Sequence, residues 1–186
     1  MGDQVATIER PLSAFNADLS RAPTGVTGQT CPLESIGVTP LTTSTTTIFM
    51  SSIVLPMNLQ INNLGIIVTT AGTATGTWLA LVDAGMRVRA VTANSAGAAT
   101  GFFNPAVTAA FVTTYAGLWY VAYGTVSSVA PQVAAGPVAP TAATFQGPPV
   151  LAGTNATAAS TTPPTVGTVL GALTGTATAN FYGQTS

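Results

Sequence analysis

The chain has no lysine and no histidine, and from Arg89 to Ser186 it carries no further charged side chain. General acids and bases are drawn mainly from His, Glu, Asp and Lys. Their scarcity removes most of the apparatus of proton transfer and nucleophile activation. Charged residues make up 5% of the sequence, against about 25% in an ordinary domain. They form two groups: Asp3, Glu9, Arg10, Asp18, Arg21 and Glu34, then Asp83, Arg87 and Arg89. The surface must therefore be built from Thr, Ser, Asn, Gly, Ala and backbone. Net charge is −1, so no long-range field attracts nucleic acid or acidic lipid. Near-neutral surfaces of this kind favour self-association.

Cys31 is the single cysteine. It excludes an intrachain disulfide and reads as a packing residue, because a reactive thiol needs a cationic or basic neighbour. Long apolar runs are missing too. Ile48 to Val68 is interrupted by Ser51, Ser52, Pro56, Asn58, Gln60, Asn62 and Asn63, short of the roughly 18 residues a membrane helix needs. The start, Met1-Gly-Asp-Gln-Val, lacks the basic-then-apolar pattern of a secretory signal. No membrane and no nucleic acid are expected as partners, and no secretion by a signal of its own.

The remaining chemistry can be tested motif by motif. Metal sites need His, Cys or clustered carboxylates, and the sequence offers no such cluster. A two-carboxylate hydrolase would draw on Asp3, Glu9, Asp18, Glu34 and Asp83, four of which lie near the N-terminus. Gly72-Thr-Ala-Thr-Gly76 lacks the Lys and the following helix of a phosphate loop. Asn155-Ala156-Thr157 fits a glycosylation acceptor, without a secretion signal to give it meaning. The expectation is a protein that is not an enzyme, with no cofactor and no metal.

Three regions follow from the patterning. Residues 1–45 hold two thirds of the charge, and Pro23, Pro32 and Pro40 with Gly25, Gly28 and Gly37 prevent a long helix. They read as an extended arm whose Glu9, Arg10, Asp18, Arg21 and Glu34 can pair with a neighbouring surface. Residues 46–130 alternate Thr-rich and β-branched runs with Gly, Asn and Pro breaks. Strands are predicted over Thr46–Leu55, Leu59–Thr69, Thr77–Asp83, Arg87–Thr92, Ala106–Phe111 and Leu118–Val126. Trp78, Ala80 and Val82 should share one face of their strand, with Leu79 and Leu81 on the other. Asp83-Ala84-Gly85-Met86 reads as a hairpin turn with Gly85 free to take positive φ. Arg87 and Arg89 then face one side together, as candidate exposed contacts to a partner. Residues 131–186 are rich in Pro, Ala and Thr and read as an extended segment, with a final strand at Ala177–Tyr182 returning to the body. The predicted fold class is all-β: an antiparallel, jelly-roll-like β-sandwich. Its core should include Trp78, Leu79, Leu81, Val88, Phe111, Leu118, Val121 and Phe181.

Trp78, Trp119, Tyr115, Tyr120 and Tyr123 could line a sugar-binding face, but core packing is the preferred reading. In Leu118-Trp119-Tyr120-Val121-Ala122-Tyr123 aromatics fall on both faces of one strand. That suits a central strand with core on one side and a partner subunit on the other.

Two segments carry a resemblance. Thr77-Trp78-Leu79-Ala80-Leu81-Val82-Asp83, a turn and Arg87-Val88-Arg89-Ala90-Val91-Thr92 form the first. Phe111-Val112-Thr113-Thr114-Tyr115-Ala116-Gly117-Leu118-Trp119-Tyr120-Val121-Ala122 forms the second. Together they resemble a small β-sandwich domain in virion proteins of long-tailed bacteriophages, especially those of actinobacteria; Val82 stands where that pattern usually has Tyr. The match covers about residues 46–130. It implies a virion surface component assembled in the host cytoplasm: a capsid decoration or head-fibre protein held on the major capsid protein lattice by its N-terminal arm. It also implies a homo-oligomer, with a trimer as the expected state. The alternatives are a minor tail or tail-fibre protein that contacts host surface glycans, and a free carbohydrate-binding module.

Overall fold

The computed structural model describes residues 27–30, 41–43, 46–96, 99–136, 152–175 and 183–186, and every regular element among them is a β-strand. In chain order these are β1 (Gly28–Gln29), β2 (Leu41–Thr42), β3 (Thr47–Leu55), β4 (Gln60–Thr70), β5 (Ala74–Asp83), β6 (Val88–Val91), β7 (Gly101–Phe103), β8 (Ala106–Val112), β9 (Gly117–Ser127), β10 (Gln132–Val133), β11 (Ala152–Ala158), β12 (Leu173–Gly175) and β13 (Gly183–Thr185). Glu9, Arg10, Asp18, Arg21, Glu34 and Phe181, and the strand expected at 177–182, lie outside the described residues.

The strands form two antiparallel sheets. One has the order β12-β11-β3-β9-β5-β6. The other is built on β4, which pairs with β13 and β10 along one edge and with β8 and β7 along the other. The edges follow from shared positions: Ile66 faces both Gly183 and Phe103, and Val68 faces both Val133 and Gly101. β1 and β2, from the first 45 residues, complete this second sheet through β13 and β10.

Alternation places a side chain of every second residue between the sheets. Phe49, Ile53 and Leu55 of β3, Leu79 and Leu81 of β5, and Trp119, Val121 and Tyr123 of β9 meet Ile61, Leu64, Ile66 and Val68 of β4 in one buried core. Ile61 and Leu64 both point inward although they are three apart. A bulge explains it: the Asn62 and Asn63 N–H groups both donate to the Ser186 carbonyl, at 2.7 and 2.9 Å. The extra residue restores the inward register for Ile66 and Val68.

The other face of the six-stranded sheet is also buried. Ile48, Met50, Trp78, Ala80, Val82, Tyr120 and Ala122 form a second core with Val88, Val91 and Leu170. Residues 159–172, which join the antiparallel neighbours β11 and β12, supply its cover. This strap crosses from β11 to β6, about 19 Å at the usual strand spacing. There the Val88 N–H donates to the Thr168 carbonyl, Gly167 to Val88 and Leu170 to Met86. Strands buried on both faces read as continuous apolar runs rather than alternating ones. That accounts for Trp78 to Val82 and for Leu118 to Ala122. The sequence assigned the second face of β9 to a partner subunit; here the chain's own strap lies on it.

Trp78 anchors this second core. Its ring lies against Gly124, its cross-strand partner on β9, so closely that a Cβ at 124 would fall on the indole. Its Nε1–H donates to the Ser160 carbonyl at 2.8 Å, which ties the strap to the sheet. Of the predicted core, Trp78, Leu79, Leu81, Val88 and Val121 are buried, while Phe111 and Leu118 are half-buried at its margins.

Candidate functional site

The charged side chains of the described residues, Asp83, Arg87 and Arg89, sit together at the β5–β6 hairpin. The loop is three residues long. The Met86 N–H donates to the Asp83 carbonyl at 2.9 Å, and the Asp83 N–H donates to the Arg87 carbonyl at 3.0 Å. Such a loop is a type I turn followed by one residue in the left-handed region. That residue is Met86, with φ of 62°, and not Gly85 as the sequence suggested. The Asp83 carboxylate decides this. Its Oδ1 accepts the N–H groups of Gly85 and Arg87, both at 2.9 Å, which fixes Gly85 inside the turn and moves the positive φ one residue on.

Asp83 Oδ2 accepts from Arg89 Nε at 2.7 Å. Burial alone would raise the Asp83 pKa, but the Arg87 N–H, the Arg89 guanidinium and the Gly85 N–H outweigh it. They hold the carboxyl below its ordinary value of 3.8. Arg87 remains exposed, with Nη1 donating to the Gly167 carbonyl of the strap at 2.9 Å. The two arginines do not continue one alternating face. Arg89 is the extra residue of a bulge, since Leu81 pairs with Ala90 and Val82 with Val88. Val88 accordingly joins the outer core and Ala90 the inner one, although they are two apart.

Tyr115 closes the other side of the hairpin. Its hydroxyl accepts the Ala84 N–H at 3.1 Å and donates to the Leu118 carbonyl at 2.8 Å. Its ring stacks on Trp119 at 4.4 Å and 12°, and Phe111 meets Trp119 edge-on. Burial, with the Asp83 charge nearby, raises the phenol pKa against the opposing effect of the Ala84 N–H. Trp119 lies opposite Asp83 in the β5–β9 ladder. The two segments singled out by resemblance are therefore adjacent strands, and Asp83 and Tyr115 jointly fix the loop at their end.

Chemically, this cluster positions backbone. Asp83 spends both oxygens on the turn and on Arg89. Among the described residues there is no group of three or more His, Cys, Asp or Glu. Asn155 of the glycosylation-like triplet is buried, with Nδ2 donating to the Gly171 carbonyl at 2.7 Å. Trp78, Trp119, Tyr120 and Tyr123 are each no more than 2% exposed, so these four rings form no sugar platform. The described surface offers instead scattered large apolar side chains, Val54, Met57, Phe102, Val112, Val129, Val166 and Val169, each about half exposed. The sequence signalled Asp83 as part of a turn; it gave no sign that Tyr115, more than thirty residues on, would complete it. Comparison with protein-family models, curated proteins and solved structures finds no match.

Proposed function

We propose that the protein is a non-enzymatic structural component of a bacteriophage virion, a capsid decoration or head-fibre protein whose N-terminal arm attaches it to the capsid lattice. The observation that carries the reading is the internal use of the polar residues in the two resemblance segments. Asp83, Arg89 and Tyr115 are spent on holding the hairpin against β9, as suits a module kept for its shape. Its body is uncharged apart from that hairpin. So little charge favours association with neighbours. A homo-oligomer, with three copies as the working number, fits the same reading.

The second reading is a minor tail protein that contacts host glycans. It draws no support from Trp78, Trp119, Tyr120 or Tyr123, whose rings are enclosed. Electron microscopy of purified particles carrying a tagged copy of the chain separates the two. Label over the whole head is the expected result, label confined to the tail favours the second reading, and unlabelled particles overturn both.

A further inference from the structure

The strap does not fill the space beneath it. A pocket of about 160 Å³, open to solvent on its outer side, remains, with Ile48, Trp78 and Leu170 as its floor and Thr157, Ser160 and Thr168 among the residues around it. The floor residues are buried, while Ser160 and Thr168 are exposed. Two hydroxyls here already accept a hydrogen bond: Thr157 Oγ1 from the Gly171 N–H at 2.7 Å, and Ser160 Oγ from the Thr162 N–H at 3.2 Å. Each keeps an O–H proton to donate. The indole N–H of Trp78 is spent on the Ser160 carbonyl and offers nothing to a ligand.

We propose that this cavity is a binding site for a small molecule with an apolar ring or branched alkyl body and a hydrogen-bond acceptor at its outer end. The size sets the class. A pocket of about 160 Å³ with an apolar floor and an open outer side holds a single ring with a short substituent that reaches toward solvent. A saccharide is a poor fit, because its hydroxyls would lie on Ile48, Trp78 and Leu170 without partners. The rim selects an acceptor, because Thr157 and Ser160 have protons left to give. The site is independent of whether the chain belongs to a virion.

The test uses two molecules of nearly equal shape, anisole and ethylbenzene, titrated into the labelled full-length protein. The readout is the indole N–H resonances of Trp78 and Trp119. Trp78 should shift saturably, with half-saturation on the order of 1 mM, while Trp119, in the other core, stays in place. Anisole should bind several-fold more tightly than ethylbenzene, and Ser160→Ala should reduce that preference. Ala158→Met and Thr168→Leu, two exposed positions that can fill the cavity, should each abolish the shift while the folded spectrum persists. Non-saturating shifts of both indoles overturn the proposal, as does saturation unaltered in both filled variants. Equal affinity for the two molecules overturns the assignment of the hydroxyl rim.

Discussion

Trp78 and Gly124 are one structural decision made at two positions. The indole fits because residue 124 has no side chain, and the strap fits because the indole N–H meets the Ser160 carbonyl. Trp78→Ala should cost about 3–5 kcal/mol in chemical denaturation. Gly124→Ala should cost about 1–3 kcal/mol by overpacking. A neutral Gly124→Ala would show that the ring moves aside without loss and that this contact is not fixed. Asp83→Ala should cost about 1–3 kcal/mol, since it removes a charged acceptor from two part-buried turn N–H groups and from Arg89. Asp83→Asn should cost less, because an amide oxygen can still receive the Gly85 and Arg87 N–H groups.

The pH dependence follows from the same residues. Asp83 has a lowered pKa in the folded protein. Its contribution is complete above the unfolded value of about 3.9 and is lost as pH falls through the folded value. Tyr115 and Tyr120 have raised pKa values, mainly through burial, and burial pushes Tyr123 up to about 12. Their contribution is complete below the unfolded value of about 10 and declines as pH rises toward 12. With no histidine in the chain, thermal unfolding midpoints should form a plateau between about pH 5 and 9. A sharp transition near pH 6.5 would contradict this account of the body.

At the scale of elements, the strap decides whether the outer face of β5 and β9 is core or surface. Leu170 is its apolar anchor, 4% exposed within the second core. Leu170→Ala should cost about 2–5 kcal/mol and should open the strap before the sandwich unfolds. Hydrogen exchange gives the check: the amides of Val88, Gly167 and Leu170 should lose protection together, while those of Val121 and Tyr123 keep theirs. Simultaneous loss at all five would mean that strap and sandwich form one cooperative unit. The strands themselves were legible because Trp78-Leu79-Ala80-Leu81-Val82 and Leu118 to Ala122 carry large apolar side chains at β spacing. The strap was not, because it holds its place with one leucine, side-chain bonds from Trp78, Arg87 and Asn155 to its carbonyls, and backbone contacts, in a composition of Pro, Thr, Gly and Ala that also suits unstructured chain. The bulge at Arg89 was hidden for a similar reason. Alternation predicts faces only while the ladder stays in register, and Asp83 draws Arg89 out of it. The left-handed Met86 was masked by Gly85, the residue usually recruited for that conformation.

At the scale of the whole molecule, two apolar cores enclose one sheet, and the body's charge is confined to one end. The remaining acids and bases, from Asp3 to Glu34, lie in the N-terminal region. That division is the basis for assigning attachment to the arm. Residues 27–30 already belong to the body, because β1 pairs with β13 and Gly28 packs on Leu55 and Ile53. Removal of residues 1–26 should therefore leave a folded protein that no longer joins particles. Normal incorporation of that truncated chain would move the attachment into the sandwich or the strap.

The most direct measurement is the copy number of this chain in density-purified phage particles, by quantitative mass spectrometry against the major capsid protein. The account predicts a fixed whole-number ratio that survives repeated purification and matches the symmetry of the shell. Its absence from the particles, or a ratio that falls with each purification step, would contradict a structural role in the virion.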